Sequence, residues 1–217
     1  DWAGRRGAEI GGKDDWFAGF HFGDWLAPDG PDPNGVKGGT EDYYLAAAYY
    51  AFSTELTAKA AKILGKHDLY EKYTALSEKT KKAMQDEYFS TSGRMVLPNQ
   101  TAYVVALYMD IARKEHRPKV LQELKKRLEA DNMHLKTGFI GTPYLCRVLS
   151  DNGAGDYAYK LFFNEDLPSW LYEVKMGATT IWERWNSVNP DGHISSTGMN
   201  SLNHYAYGSI AEWMYRN

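Results

Sequence analysis

From Thr40 onward, apolar residues recur at the three- and four-residue spacing of amphipathic helices. Leu45, Ala48, Phe52, Leu56, Lys59 and Ile63 mark the first stripe. Thr40 is placed to cap this helix, Glu41 and Asp42 lie in the first turn where the helix dipole favours acids, and Gly65 closes it. The pattern predicts a helix of about 25 residues, roughly 37 Å long at about 1.5 Å per residue. A second helix starts near His67-Asp68, presents Leu69, Tyr73, Leu76, Thr80 and Met84 on its apolar face, and stops before Ser90-Thr91-Ser92-Gly93. A third is expected from about Asn99 to Glu115, with Ala102, Val105, Ala106, Met109 and Ala112 inward. The fourth follows Pro118, a favourable first-turn residue, and carries Val120, Leu124 and Leu128. Shorter helices are expected at 141–151, 153–164, 168–175 and 200–215, the first headed by Thr142-Pro143. Residues 1–39 break the pattern. They are rich in Gly, Asp and Trp, with Pro28, Pro31 and Pro33 close together, and read as a loop region.

Strand-like alternation is nearly absent, so the expected class is all-α. Successive helical hairpins build either an open solenoid or a closed toroid. No fixed sequence period links the hairpins, which disfavours the solenoid. Gly- and aromatic-rich segments near 20–39, 93–99, 137–143, 177–186 and 192–204 fall at alternate helix junctions. In a toroid such junctions gather on one rim and shape a pocket.

Composition narrows the function classes. The 217 residues are 43% hydrophobic and 24% charged, enough apolar material for a core and unlike a disordered chain. A net charge of −3 with basic and acidic residues interspersed offers no electrostatic footprint for nucleic acid. No run is long and apolar enough for a membrane span, so no membrane partner is expected. The chain opens Asp1-Trp2-Ala3-Gly4 without an initiating Met or a leader, which fits a processed product or a piece of a longer protein. Cys146 stands alone, which excludes an internal disulfide, a four-Cys zinc site and a CxxC pair. Aromatic residues make up 14%, and many adjoin Gly, Asp, Asn or His, as on a binding surface.

Three segments offer chemistry. In Gly177-Ala178-Thr179-Thr180-Ile181-Trp182-Glu183-Arg184-Trp185, a carboxylate between two tryptophans can act as acid or base. The rings can stack on a sugar face, and Arg184 can hold the carboxylate ionised. The alternative is an aromatic-rich helix end in which Glu183 pairs with Arg184. In Met199-Asn200-Ser201-Leu202-Asn203-His204-Tyr205-Ala206-Tyr207-Gly208, Asn200, Asn203, His204 and Tyr207 would share one polar stripe if helical, a comb for hydroxyls. The alternative is a cap followed by core tyrosines, with His204 satisfied internally. In Phe22-Gly23-Asp24-Trp25-Leu26-Ala27-Pro28, Asp24 can bind a hydroxyl and Trp25 can cover a ring, or the three residues simply make a tight turn. The Asp14-Asp15-Trp16 triplet is a weaker candidate. Asp29, Asp32 and Asn34 lack EF-hand spacing and its closing Glu, so no metal and no cofactor are assigned.

Taken in order, five pieces resemble the catalytic domain of the inverting α-L-rhamnosidases, glycoside hydrolases built on an (α/α)6 toroid. They are Gly23 to Pro28, Thr137 to Leu145, Pro168-Ser169-Trp170-Leu171-Tyr172, Gly177 to Trp185 and Met199 to Gly208. The resemblance implies that Glu183 is the general base activating water, that His204 is a sugar-binding histidine and that Trp25 contacts rhamnose. Asp24 and Trp185 enter as pocket neighbours. It also implies a rhamnose-containing glycoside as substrate. An inverting glycosidase needs two carboxyl groups roughly 6.5–9.5 Å apart. The family's acid lies in a motif resembling Asp-x-x-x-Arg-x-Glu followed by Gly-Trp-x-Gly-Asp, and residues 1–22 contain neither; Glu9 and Asp14 lack the context and the spacing. The expectation is therefore residues 1–217 as the C-terminal part of such a domain, with N-terminal helices missing and the base half of the site alone. The remainder of the parent chain would be its partner, and the isolated piece would be nearly inactive. A glucoamylase-like hydrolase, a polysaccharide lyase and a non-catalytic helical scaffold are the competing readings.

Overall fold

The computed structural model describes residues 21–32 and 35–217. Glu9, Asp14, the Asp14-Asp15-Trp16 triplet, Pro33 and Asn34 lie outside the described residues. Among the described residues there are eight α-helices, two short 3-10 turns and no strand beyond three isolated bridges. The all-α expectation is met. No helix among them is long and apolar enough to cross a membrane.

Helices α1 (Asp42–Ile63) and α2 (His67–Tyr88) form a long hairpin joined by a three-residue turn. The buried face of α1 is Tyr44, Leu45, Ala47, Ala48, Ala51, Thr54, Ala58 and Ala61. Its alanines let α2 approach closely enough for Ser77 Oγ to donate to the Ala51 carbonyl at 2.9 Å. Two expectations fail here. Glu41, not Thr40, occupies the cap position, without a side-chain cap bond. Leu56 and Ile63 are exposed, because the buried stripe drifts onto the small residues as the helix proceeds.

Helix α3 (Gln100–Tyr108) is the central rod. Every residue from Gln100 to Leu107 is buried, and it packs against α1, α4 (Arg117–Ala130) and α5 (Thr142–Asp151). Asn99 caps it, accepting the Ala102 N–H at 3.1 Å. It ends well before the expected Glu115, because Asp110 turns left-handed at φ 52° and a 3-10 turn at Lys114–His116 leads into α4. Helix α4 keeps the expected stripe: Val120, Leu124 and Leu128 are all fully buried. Helices α5 and α6 (Gly155–Phe162) make a second hairpin, followed by α7 (Trp170–Lys175). The helix expected at 200–215 is present only as a 3-10 turn, Ala206–Ser209, and α8 (Ile210–Arg216).

The first turn of α3 organises the loops around it. Gln100 donates to the Asp131 carboxylate at 2.8 Å and to the His134 carbonyl at 2.9 Å, and accepts the Lys136 N–H at 3.0 Å. Its neighbour Thr101 donates its hydroxyl to Asp24. One helix end thus fixes both the 131–136 segment and the opening loop.

Candidate active site

Asp24 is fully buried, and its carboxylate is the anchor of the opening loop. Oδ2 accepts Thr101 Oγ1 and the Gly138 N–H at 2.9 Å; Oδ1 accepts the Ile140 N–H at 2.8 Å and the Gly141 N–H at 3.3 Å. Both of its oxygens are thus taken by protein donors. Gly138 is required at this junction, since a Cβ there would lie 2.2 Å from the Trp25 carbonyl oxygen. That carbonyl in turn accepts the Phe139 N–H at 2.9 Å. Trp25 is half-buried, and the exposed Phe22 ring meets it edge-on at 5.6 Å.

Gly177, at φ 87°, ends α7 and releases the chain into the Trp182–Trp185 turn. Glu183 pairs with Ser201 on the neighbouring segment: its N–H donates to the Ser201 carbonyl at 2.9 Å, and its Oε2 accepts the Ser201 N–H at 3.1 Å. Oε1 of this half-buried carboxylate has no hydrogen-bond partner among the described residues. The same ladder places His204, whose N–H donates to the Ile181 carbonyl at 2.8 Å. The His204 ring stacks with Phe139 (5.1 Å, 22°) and with Tyr205 (4.9 Å, 25°). Its Nδ1 accepts the Ala206 N–H at 3.3 Å, which in a neutral ring puts the proton on Nε2, a donor that no described residue takes up.

Trp25, Glu183 and His204 are therefore tied together through two intermediaries. Phe139 bonds to Trp25 through its backbone and stacks on His204 through its ring; Ser201 holds Glu183 on the strand-like run that carries His204. Residue motifs named Glu183, His204 and Trp25 but gave Phe139 and Ser201 no role. The signal available for Phe139 was its place inside the glycine-flanked Thr137–Thr142 turn.

Other expectations change. Trp182 and Trp185 are not open platforms flanking Glu183, because both are almost fully buried. Trp182 meets Tyr172 edge-on at 6.5 Å, and Trp185 stacks on Tyr207 at 4.0 Å. Arg184 makes no ion pair with Glu183 and instead donates to the Gly35 carbonyl at 3.0 Å. The hydroxyl comb of Asn200, Asn203, His204 and Tyr207 does not form either. Residues 199–205 are irregular, with Met199 left-handed at φ 52°, and Tyr207 is buried with its hydroxyl donating to the Leu26 carbonyl at 3.3 Å.

Glu173 was missed entirely. This α7 residue is 2% exposed; its Oε2 accepts the Trp182 N–H at 3.2 Å and its Oε1 has no partner. Burial pushes its carboxyl from the ordinary 4.5 up to about 8. The folded protein then holds a proton that the unfolded chain has released. This contribution to stability is complete below pH 4.5, declines as pH rises toward about 8, and is flat above. Glu173→Gln should flatten that decline, measured as melting temperature between pH 5 and 9; an unchanged slope would place the titration elsewhere.

Residues 2–217 match the model of the bacterial alpha-L-rhamnosidase 6 hairpin glycosidase domain. The chain belongs to this family. An alpha-L-rhamnosidase of Formosa agariphila is 46% identical over 197 residues, covering 89% of this chain and 21% of that protein. The crystal structure of the Streptomyces avermitilis alpha-L-rhamnosidase complexed with L-rhamnose superposes with a TM-score of 0.82 at 41% identity, covering 90% of this chain and 18% of that one. The native Aspergillus terreus enzyme gives a TM-score of 0.87 at 33% identity over 92% of this chain and 23% of that one. The six-hairpin fold class is thereby fixed. This chain spans about a fifth of the length of the curated relatives it matches, with shares of 21%, 18% and 22%.

Proposed function

We propose that this chain supplies the base half of a glycosidase site that hydrolyses terminal α-L-rhamnosyl residues with inversion. Glu183 is the general base, and the observation that carries the assignment is its carboxylate. One oxygen is fixed by the Ser201 N–H while the other has no protein partner among the described residues. A base needs that combination: a fixed direction and a lone pair available to water. His204 binds a sugar hydroxyl through Nε2, its ring steadied by stacking with Phe139 and Tyr205. Trp25 covers the apolar face of the ring. Trp185 and Asp24 act one layer below, Trp185 by packing under the turn and Asp24 by holding the Trp25 loop. The likeness to a structure that holds L-rhamnose supports the choice of sugar.

Protonation of the leaving oxygen needs a second carboxyl group, and we place it elsewhere in a longer parent protein. On that reading the isolated 217-residue chain is nearly inactive, since a positioned general acid contributes about 10²–10⁴-fold by itself. The test is turnover of an aryl α-L-rhamnoside by the complete protein containing this chain, alongside aryl glucosides. Release from the rhamnoside is expected. Release from a glucoside with none from the rhamnoside would move the function to a neighbouring toroid hydrolase.

A further inference from the structure

Glu173 is a buried titratable group that the proposed mechanism leaves unused. It is 2% exposed, and its Oε1 is sealed from solvent with no hydrogen-bond partner. A carboxyl group in such a place is costly, and a leucine of similar size would fill the space without burying polar atoms. What the carboxyl does provide is an acceptor. Oε2 takes the buried Trp182 N–H at 3.2 Å, across nine positions of chain. No other acceptor for that N–H stands among the described residues, and a buried donor left without one is itself destabilising.

The bond closes a loop that ends one residue short of Glu183. As the chain leaves α7 it turns at Gly177, and the Ala178 N–H donates to the Glu173 carbonyl at 3.0 Å. The chain then returns to the same helix. The Trp182 ring meets Tyr172 edge-on at 6.5 Å while the Trp182 N–H meets the Glu173 carboxyl. Glu183 follows directly, and Ser201 holds both its N–H and its Oε2. Glu183 is thus fixed by two elements, the 199–205 segment and α7, and the α7 tether lies on the adjoining residue. Buried as it is, Glu173 acts through the turn rather than on a substrate.

We propose that Glu173 is a positioning residue for the base: its carboxyl grips the Trp182 N–H and so fixes the direction in which Glu183 presents its unpartnered oxygen. This role rests on the reading of Glu183 as general base. It also requires the neutral acid. Burial pushes the Glu173 carboxyl up to about 8, so at neutral pH Oε2 accepts as a carbonyl oxygen and Oε1 carries the proton. No cation among the described residues pairs with it: Arg184 donates to the Gly35 carbonyl instead. Tyr207, on the 3-10 turn, is the titratable group that feels its charge, and that charge pushes the buried hydroxyl up. Ionisation therefore leaves an unpaired anion in a sealed site, and admitting water to solvate it opens the turn.

The experiment measures kcat and KM of the complete protein on an aryl α-L-rhamnoside between pH 5 and 9. It compares the native chain with Glu173→Leu, Glu173→Gln and Glu183→Gln, each first checked for native melting. Glu173→Leu fills the site but offers no acceptor, and should lower kcat at pH 6 by about tenfold or more with KM changed by less than about threefold. Glu173→Gln restores the acceptor in a permanently neutral form and should recover most of that loss. The ratio of native to Glu173→Gln kcat should be level from pH 5 to 7 and fall about tenfold by pH 9. Ionisations common to both proteins cancel in that ratio, which leaves the one group that titrates near 8. A merely structural carboxyl would leave the ratio flat. A flat ratio, or native kcat in a folded Glu173→Leu protein, overturns the positioning role even while an inactive Glu183→Gln upholds the base. Full activity in Glu183→Gln would remove the base and the positioning role together. Should Glu173→Leu fail to fold, the pH ratio decides alone.

Discussion

In the complete enzyme, Glu183→Gln should lower kcat on an aryl α-L-rhamnoside by about 10²–10⁴-fold, the usual contribution of a positioned base. KM should change little. The amide keeps the shape of the carboxylate, and its oxygen can still accept the Ser201 N–H that Glu183 accepts at 3.1 Å. The turn should therefore stay in place while the lone pair that takes the proton from water is lost. Glu183→Ala should be worse in a different way, since it also removes the side-chain tether to Ser201 and frees the segment that carries His204. A split in which the Gln variant loses only kcat and the Ala variant loses both parameters separates chemistry from positioning. Full activity in Glu183→Gln would remove the residue from the reaction.

The second large effect is on stability. Asp24→Ala should destabilise the fold by about 3–5 kcal/mol, because four buried donors lose their acceptor and each buried unsatisfied group costs about 1–3 kcal/mol before relaxation. The donors come from two places: Thr101 on α3, and Gly138 with Ile140 and Gly141 in the turn before α5. In a unit of this size the loss corresponds to a fall in melting temperature of about 6–20 °C. Asp24→Asn should recover only part of it, since its NH₂ group would face N–H donors. Desolvation by burial outweighs these donors and pushes the Asp24 carboxyl from 3.8 up to about 6, so at pH 7 it is ionised, as the donors require. A melting temperature within about 2 °C of the native one would refute the anchoring role.

How much of this could be read in advance depends on the distance over which each feature is determined. The α4 stripe of Val120, Leu124 and Leu128 is local, set by periodicity behind Pro118, and was legible. The outward turn of Leu56 and Ile63 was not, because whether a large residue or a neighbouring alanine faces α2 depends on how closely the two helices approach. The stop at Tyr108 hinges on Asp110 adopting φ 52°, a conformation that its residue type permits without announcing. In the 199–205 segment the spacing of Asn200, Asn203, His204 and Tyr207 suited a helix. Backbone pairing of 181–183 with 201–204 over-rode it.

The site divides the same way. Glu183, His204 and Trp25 were singled out because their motifs resemble those of a family whose model matches residues 2–217; their roles rest on the proposal made above. The role of Asp24 was not, because its partners stand 77 to 117 positions away along the chain. Glu173 had no signal at all: a glutamate in Trp170-Leu171-Tyr172-Glu173 reads as surface until α7 is placed against Trp182. Arg184 was misread for a related reason. Its acceptor, the Gly35 carbonyl, stands 149 positions away along the chain.

If Glu183 acts on water rather than on the sugar carbon, the configuration at the anomeric carbon inverts, and the anomer first released reports it. With the complete enzyme and an aryl α-L-rhamnoside, proton NMR in the first minutes of reaction should show β-L-rhamnose appearing before mutarotation produces the α form. Initial release of α-L-rhamnose would mean a double displacement through a covalent intermediate, and Glu183 would then be a nucleophile or a bystander rather than the base.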